Sequence, residues 1–121
     1  MKIMTGADCQ SISALETSYN KESFRTRVYT EAERSYIESK KLGRIPTAAG
    51  LWCAKEAVAK ALGRGLFGLL PTELEICHSE NGAPYLQLHG SALAQYGHLQ
   101  FSVSISHSAD TAFAVCTVLE E

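Results

Sequence analysis

One stretch limits the possible folds more than any other: IPTAAGLWCAKEAVAKALG, residues 45–63. Its alanines, leucines and straight-chain charged residues are strong helix formers. Pro46 suits a first turn and Gly63 stands just past the end, so one long helix is expected here. Gly50 lowers the propensity within it, which marks a weak start or a close contact. Wound at roughly 100° per residue, Leu51, Ala54, Ala57, Val58, Ala61 and Leu62 share one broad face, the expected core stripe. Trp52, Glu56, Ala59, Lys60 and Gly63 fall on an adjacent face, and Lys55 falls at the margin of the stripe.

The flanking segments give such a helix something to pack on. KIMTGADC (2–9) reads as a short strand ending near Asp8. SISALETSYNKESF (11–24) carries Ile12, Leu15 and Tyr19 at helical spacing. Thr30 and Glu33 form a capping-box pattern that opens a second helix, ending near Leu42-Gly43. LLPTELEICHS and ENGAPYLQLHG read as two strands joined through Asn81-Gly82, a hairpin. SALAQYGH is a short helix, LQFSVSISH alternates strictly, SAD is a turn and TAFAVCTVLE is a last strand. The expected class is α+β: N-terminal helices, with one long helix packed on an antiparallel sheet.

A chain of 121 residues points to one domain, 1–121. Hydrophobic residues at 45% and charged residues at 20% give a globular balance. A deep cleft is hard to build at this size, so a site shared between subunits becomes attractive. The net charge of −2 argues against a nucleic-acid partner. No apolar run is long enough to span a bilayer, and MKIMTGADCQ lacks the apolar segment of a signal peptide, so the cytoplasm is the expected location. The cysteines at 9, 53, 77 and 116 form no CxxC motif and read as reduced, small core residues.

The chemistry gathers on the long helix. An ordinary surface ion pair accounts for Glu56 and Lys60 taken alone. Their surroundings point further. Small neighbours leave room for a ligand, Lys55 at the stripe's edge needs an anionic partner, and the helix ends in Gly63-Arg64-Gly65, a turn offering one guanidinium and free backbone N–H groups. Such a set suits phosphates together with a cation held by a carboxylate. Asp8 is the second carboxylate, although a turn or helix N-cap would explain it by itself. Two carboxylates, waters and substrate phosphates satisfy Mg²⁺, which seldom uses an all-protein cage. His107 closes a strand whose other face is rich in serine, which suits phosphate or ribose contacts. His78, His89 and His98 stand in no such context.

Three pieces stand in chain order: GAD (6–8), WCAKEAVAK (52–60) and SISHS (104–108). With FRTRVYTEAE (24–33), GRG (63–65) and NGAPY (81–85), they resemble the 4′-phosphopantetheinyl transferases, and the short length resembles the holo-[acyl-carrier-protein] synthase branch. The spacing Trp52, Lys55, Glu56, Ala57, Lys60 is the most specific of these matches. The resemblance implies the fold of that family. It implies transfer of the phosphopantetheine arm of coenzyme A to a serine of an acyl carrier protein, with 3′,5′-ADP leaving. Asp8 and Glu56 would hold Mg²⁺ against the pyrophosphate. Lys60 would contact a coenzyme A phosphate, with Lys55 in the same anionic site. Gly63, Arg64, Gly65, Pro84 and His107 would also meet the coenzyme. Glu56 would be a candidate base, directly or through a metal-bound water. A homotrimer with sites between subunits is implied as well.

The chain departs from the family pattern at four positions. Ala14 and Leu51 stand where arginines are usual, Ala59 where serine is frequent and Ala83 where lysine is usual. Losing two arginines weakens attraction to an acidic carrier, with Arg25, Arg27 and Arg64 as partial replacements. A specialised transferase for a polyketide, fatty-acid or other dedicated carrier is therefore expected. The alternative is a coenzyme A- or carrier-binding relative with little or no transferase activity. A purely structural oligomer leaves the lysine at the core margin unexplained.

Overall fold

The computed structural model describes residues 1–121. Strand β1 (Lys2–Ser11) leads into helices α1 (Ile12–Tyr19), α2 (Glu22–Val28) and α3 (Glu31–Ser39), then the long helix α4 (Arg44–Ala61). Strands β2 (Leu74–His78) and β3 (Pro84–Leu88), helix α5 (Gly90–Tyr96) and strands β4 (Gln100–Ser108) and β5 (Thr111–Glu120) complete the chain. The α+β class and the long central helix are as expected.

The strands form two antiparallel sheets rather than one. The first has the order β1-β5-β4, and the second is the β2–β3 hairpin. The first and last strands pair along their whole length, Lys2 opposite Glu120 and Ser11 opposite Thr111. One face of this sheet carries Gly6, Val103 and the alternate residues Ala112, Ala114, Cys116 and Val118, all buried beneath α4. The small side chains let the helix sit close. A β-carbon on Gly6 would collide with the Ala57 carbonyl and the Ala61 amide, and one on Gly50 would stand 2.8 Å from the Ile105 Cγ2. Gly50 therefore marks a close contact, at the point where α4 crosses β4.

Four local expectations need correction. Residues 11–24 do not form one helix; the chain turns at Asn20-Lys21, and α1 and α2 are separate. Strand β1 runs on past Asp8, so Asp8 caps nothing. Ser11 caps α1 by accepting the Ala14 N–H, and Asp110 braces it by accepting from the Ser11 and Ser13 hydroxyls. The helix opened by Thr30 ends at Ser39, and Lys41–Gly43 is a single 3₁₀ turn. The core stripe of α4 is also too narrow as drawn. Ala48, Ala49, Gly50, Cys53, Lys55 and Ala59 are buried too, while Leu62 is only half-buried.

The capping box forms as expected: the Thr30 hydroxyl accepts the Glu33 N–H, and the Glu33 carboxylate accepts the Thr30 N–H. Gly63, with φ +72°, follows the end of α4, and Gly82, with φ +87°, makes the hairpin turn. Only two cysteines, Cys53 and Cys116, are buried; Cys9 is exposed and Cys77 half-buried, and all four are free thiols. No helix is long and apolar enough to cross a membrane.

Candidate active site

Asp8 lies on the α4-facing side of β1, two residues beyond the close approach at Gly6. The same crossing places the C-terminal turns of α4 beside it. Lys60 donates from Nζ to Asp8 Oδ1 at 3.0 Å and to the Ala7 carbonyl at 3.1 Å. Its side chain is 52% exposed while that of Asp8 is 15% exposed, so the ammonium faces solvent and the carboxylate is recessed. Asp8 raises the affinity of Lys60 for its proton, chiefly through their hydrogen bond.

Glu56, one turn before Lys60, is half-buried, and its carboxylate makes no hydrogen bond or ion pair within the chain. Burial first, and the charge of Asp8 second, push its pKa up; Lys60 opposes both. The negative charge of Asp8 thus adds to the cost of charging Glu56, which has no donor of its own. A divalent cation would remove that cost. The hard oxygen donors suit Mg²⁺, and their number leaves positions for water and phosphate. The donor set therefore fits the metal, with Asp8 and Glu56 as the residues that would hold it.

Other expected site residues lie elsewhere. The Arg64 guanidinium donates to the Tyr96 hydroxyl at 2.8 Å and to the Gly68 carbonyl at 2.6 Å. The Gly63 and Arg64 N–H groups close the end of α4 on the Lys60 and Ala59 carbonyls, so they are not the free donors expected of this turn. Gly65 remains exposed beside them.

Pro84 and His107 meet in a separate cavity of about 200 Å³, lined also by Thr47, Gly50 and Leu51 of α4. At roughly 100° per residue, Thr47 and Leu51 occupy the flank of α4 opposite Glu56 and Lys60. The residues picked from sequence thus fall into two groups, one on each side of the helix.

Lys55 belongs to neither group. Its side chain is fully buried, and its Nζ donates to Glu33 Oε1 at 2.8 Å and the Pro71 carbonyl at 2.7 Å. The anionic partner it needs is Glu33, a residue of the chain, so its placement beside a ligand phosphate is corrected. Nor does the lysine at the core margin count against a structural role, because an internal partner explains it. Glu33 is the residue that sequence reasoning missed. It also accepts the Ile76 N–H at 2.7 Å, tying α3, α4 and β2 together. Burial pushes the Glu33 carboxyl up and the Lys55 ammonium down, and the charge of each opposes the shift in the other. The capping box identified Glu33 as a local cap; nothing local reveals that it also reaches Lys55.

Comparison with known proteins identifies the family. The family model described as 4′-phosphopantetheinyl transferase superfamily matches residues 4–116. A holo-[acyl-carrier-protein] synthase of Solidesulfovibrio magneticus is 48% identical over 101 residues, which covers 80% of this chain and 79% of that protein. One from Caldanaerobacter subterraneus subsp. tengcongensis is 36% identical over 119 residues, covering 95% and 93%. The crystal structure of Helicobacter pylori holo-[acyl-carrier-protein] synthase in complex with coenzyme A matches with a TM-score of 0.83 at 31% identity, covering 96% of this chain and all of that one.

Proposed function

The chain belongs to the 4′-phosphopantetheinyl transferase superfamily, and from that premise we propose that it transfers the phosphopantetheine arm of coenzyme A to a serine of an apo acyl carrier protein, releasing 3′,5′-ADP. The observation that supports the site assignment is the electrostatic coupling of Glu56 to Asp8, 48 positions away in sequence, with the exposed Lys60 ammonium on Asp8. Bound by these carboxylates, Mg²⁺ would neutralise the pyrophosphate and polarise its oxygens. Lys60 contributes a second positive charge and is exposed enough to turn from Asp8 to a phosphate oxygen. Glu56, which accepts from no donor of its own chain, is the candidate proton acceptor for the attacking serine hydroxyl, directly or through a bound water. The reaction asks for positioning and charge neutralisation more than for covalent chemistry, and these residues supply both.

We further propose that the site is completed between subunits of a homotrimer. Two features support this. Pro84 and His107 lie across α4 from Asp8 and Glu56, so a coenzyme that touches both groups meets them on different subunits. The three-stranded sheet also leaves its second face bare: Ile3 of β1 is 60% and Phe113 of β5 44% exposed there, although Ala112 and Ala114 on either side of Phe113 are buried. The number of copies, three, rests on the family resemblance alone. A cytoplasmic location and a single functional domain, 1–121, complete the reading.

Incubation with coenzyme A, Mg²⁺ and a panel of apo carrier proteins tests the activity. A carrier should gain the mass of the arm. Coenzyme binding without mass gain on any carrier would instead assign a binding relative. For the shared site, sedimentation should give a trimer, and a fully active monomer would refute it.

A further inference from the structure

A second polar cavity, of about 340 Å³, opens where the α1–α2 junction, α3 and the start of α4 converge. Tyr19, Asn20, Arg25, Arg34, Glu38 and Arg44 line it. Arg44 precedes Glu56 by twelve residues, about 18 Å along the helix axis, and no residue lining this cavity lines the one that holds Pro84 and His107, so the cavity is separate from both groups of proposed site residues. Three arginines against one glutamate leave a surplus of positive charge, in a chain whose net charge is −2.

The guanidiniums are held in place yet mostly unpaired. Arg25 donates to the Tyr19 carbonyl, and Arg34 to the Tyr29 carbonyl at 2.8 Å. Arg25 and Arg44 sit 5.6 and 5.8 Å from the centre of the Tyr19 ring, whose hydroxyl donates to Glu38 at 2.8 Å. Neither Arg25 nor Arg34 pairs with a carboxylate, and the Arg44–Glu38 pair is long, at 3.8 Å. A guanidinium carries five N–H donors, so one backbone bond leaves most of them for a ligand. Its fork matches phosphate or carboxylate oxygens. The one aromatic ring is 1% exposed and already flanked by two cations, so no surface remains for a nucleobase or acyl chain to stack on. The chemistry favours a compact anion of high charge.

We propose that this cavity binds a phosphate dianion, free or as the terminus of a small monoester. Bound there, the anion bridges the α1–α2 junction, α3 and α4, and it stabilises the folded chain by mass action.

Titration calorimetry of the full chain, without coenzyme or metal and at constant ionic strength, tests this with inorganic phosphate and with glycerol phosphate. Saturable binding of inorganic phosphate alone identifies the free ion; saturable binding of both identifies the phosphate terminus. Arg25→Gln and Arg34→Gln should each weaken binding by about tenfold or more. Glu38→Gln, which removes the one negative charge and keeps an acceptor for Tyr19, should tighten it. Arg27→Gln is the control: its guanidinium lies over Phe67, outside the cavity, 4.2 Å from the ring centre. It should change affinity less than twofold. The Glu38→Gln result keeps the test open should an arginine variant fold poorly. No saturable binding in the millimolar range, or equal losses in Arg34→Gln and Arg27→Gln, would overturn the proposal. So would weakened binding of an acidic carrier by Arg34→Gln with no phosphate binding in the parent, which would reassign the cavity to protein docking.

Discussion

Lys55 and Glu56 share a peptide bond and occupy opposite environments. Lys55 points into the protein, where Glu33 and the Pro71 carbonyl occupy its ammonium and no solvent reaches it. Glu56, about 100° further round the helix, is half-buried at an open flank and finds no donor at all. One lysine–glutamate pair holds α4 in place; the other acidic group is left unpaired. An unpaired, partly desolvated carboxylate is costly to keep unless it meets a ligand. That difference separates the residues that build this fold from those proposed to carry its chemistry.

The sharpest way to break the comparison is at Glu56 and Asp8. Glu56→Gln and Asp8→Asn should each lower turnover by roughly 10²–10⁴-fold, the usual range for a lost acid–base group. Glu56→Gln should not destabilise the fold and should stabilise it slightly at neutral pH, because it removes a partly desolvated charge that has no partner to lose. Mass-based transfer assays and urea unfolding measure the two effects separately. Near-normal turnover in both variants would remove the metal-site proposal.

The other half of the comparison predicts the reverse pattern. Glu33→Ala strips a buried ammonium of its counter-charge and leaves the Thr30 and Ile76 N–H groups without their acceptor. Breaking such a pair costs about 3–5 kcal/mol. Glu33→Leu combined with Lys55→Met should recover part of that loss, since no lone charge remains buried. Full recovery is not expected, because the two N–H groups stay orphaned. Urea unfolding of the single and double variants checks this. A double variant no more stable than Glu33→Ala would show that the lone charge is not the main cost.

Much of this was legible from local patterns. The Thr30–Glu33 capping box, the Asn81-Gly82 turn and the stop at Gly63 each depend on residues within a few positions of one another. The spacing of Trp52, Lys55, Glu56 and Lys60 was legible for the same reason. What escaped depends on distant segments. The break at Asn20-Lys21 follows from where α2 must turn to pack Val28 and Phe24. The Glu33–Lys55 pair joins two helices 22 positions apart, and the pairing of β1 with β5 joins the two ends of the chain. Periodicity cannot report either contact. A lysine at a helix margin looks the same in sequence whether its partner is a ligand or a buried glutamate, so local pattern alone does not place Lys55.

Glu75 carries the smallest effect and sharpens the comparison from a third position. It borders the buried node, yet it ends in a polar shell: the Thr30 hydroxyl donates to Oε2 at 2.7 Å, and His89 Nε2 lies 2.9 Å from Oε1. The Thr30 bond, then His89, holds its carboxyl below the usual glutamate range. The folded state therefore binds the Glu75 proton less readily than the unfolded chain does. Near pH 4 the unfolded state takes up more protons at this position, so stability rises with pH there. The contribution is fully present above the unfolded value of about 4.3 and disappears as pH falls through the lower, folded value. Glu75→Gln keeps an acceptor for Thr30 but abolishes this titration. At neutral pH it should cost about 1 kcal/mol, the loss of a charge-assisted bond partly replaced by a neutral one. The difference between parent and variant should shrink as pH falls below about 4. Urea unfolding at a series of pH values measures that convergence. Curves that stay parallel down to low pH would mean that the charge of Glu75, unlike that of Glu33, contributes nothing to holding the node together.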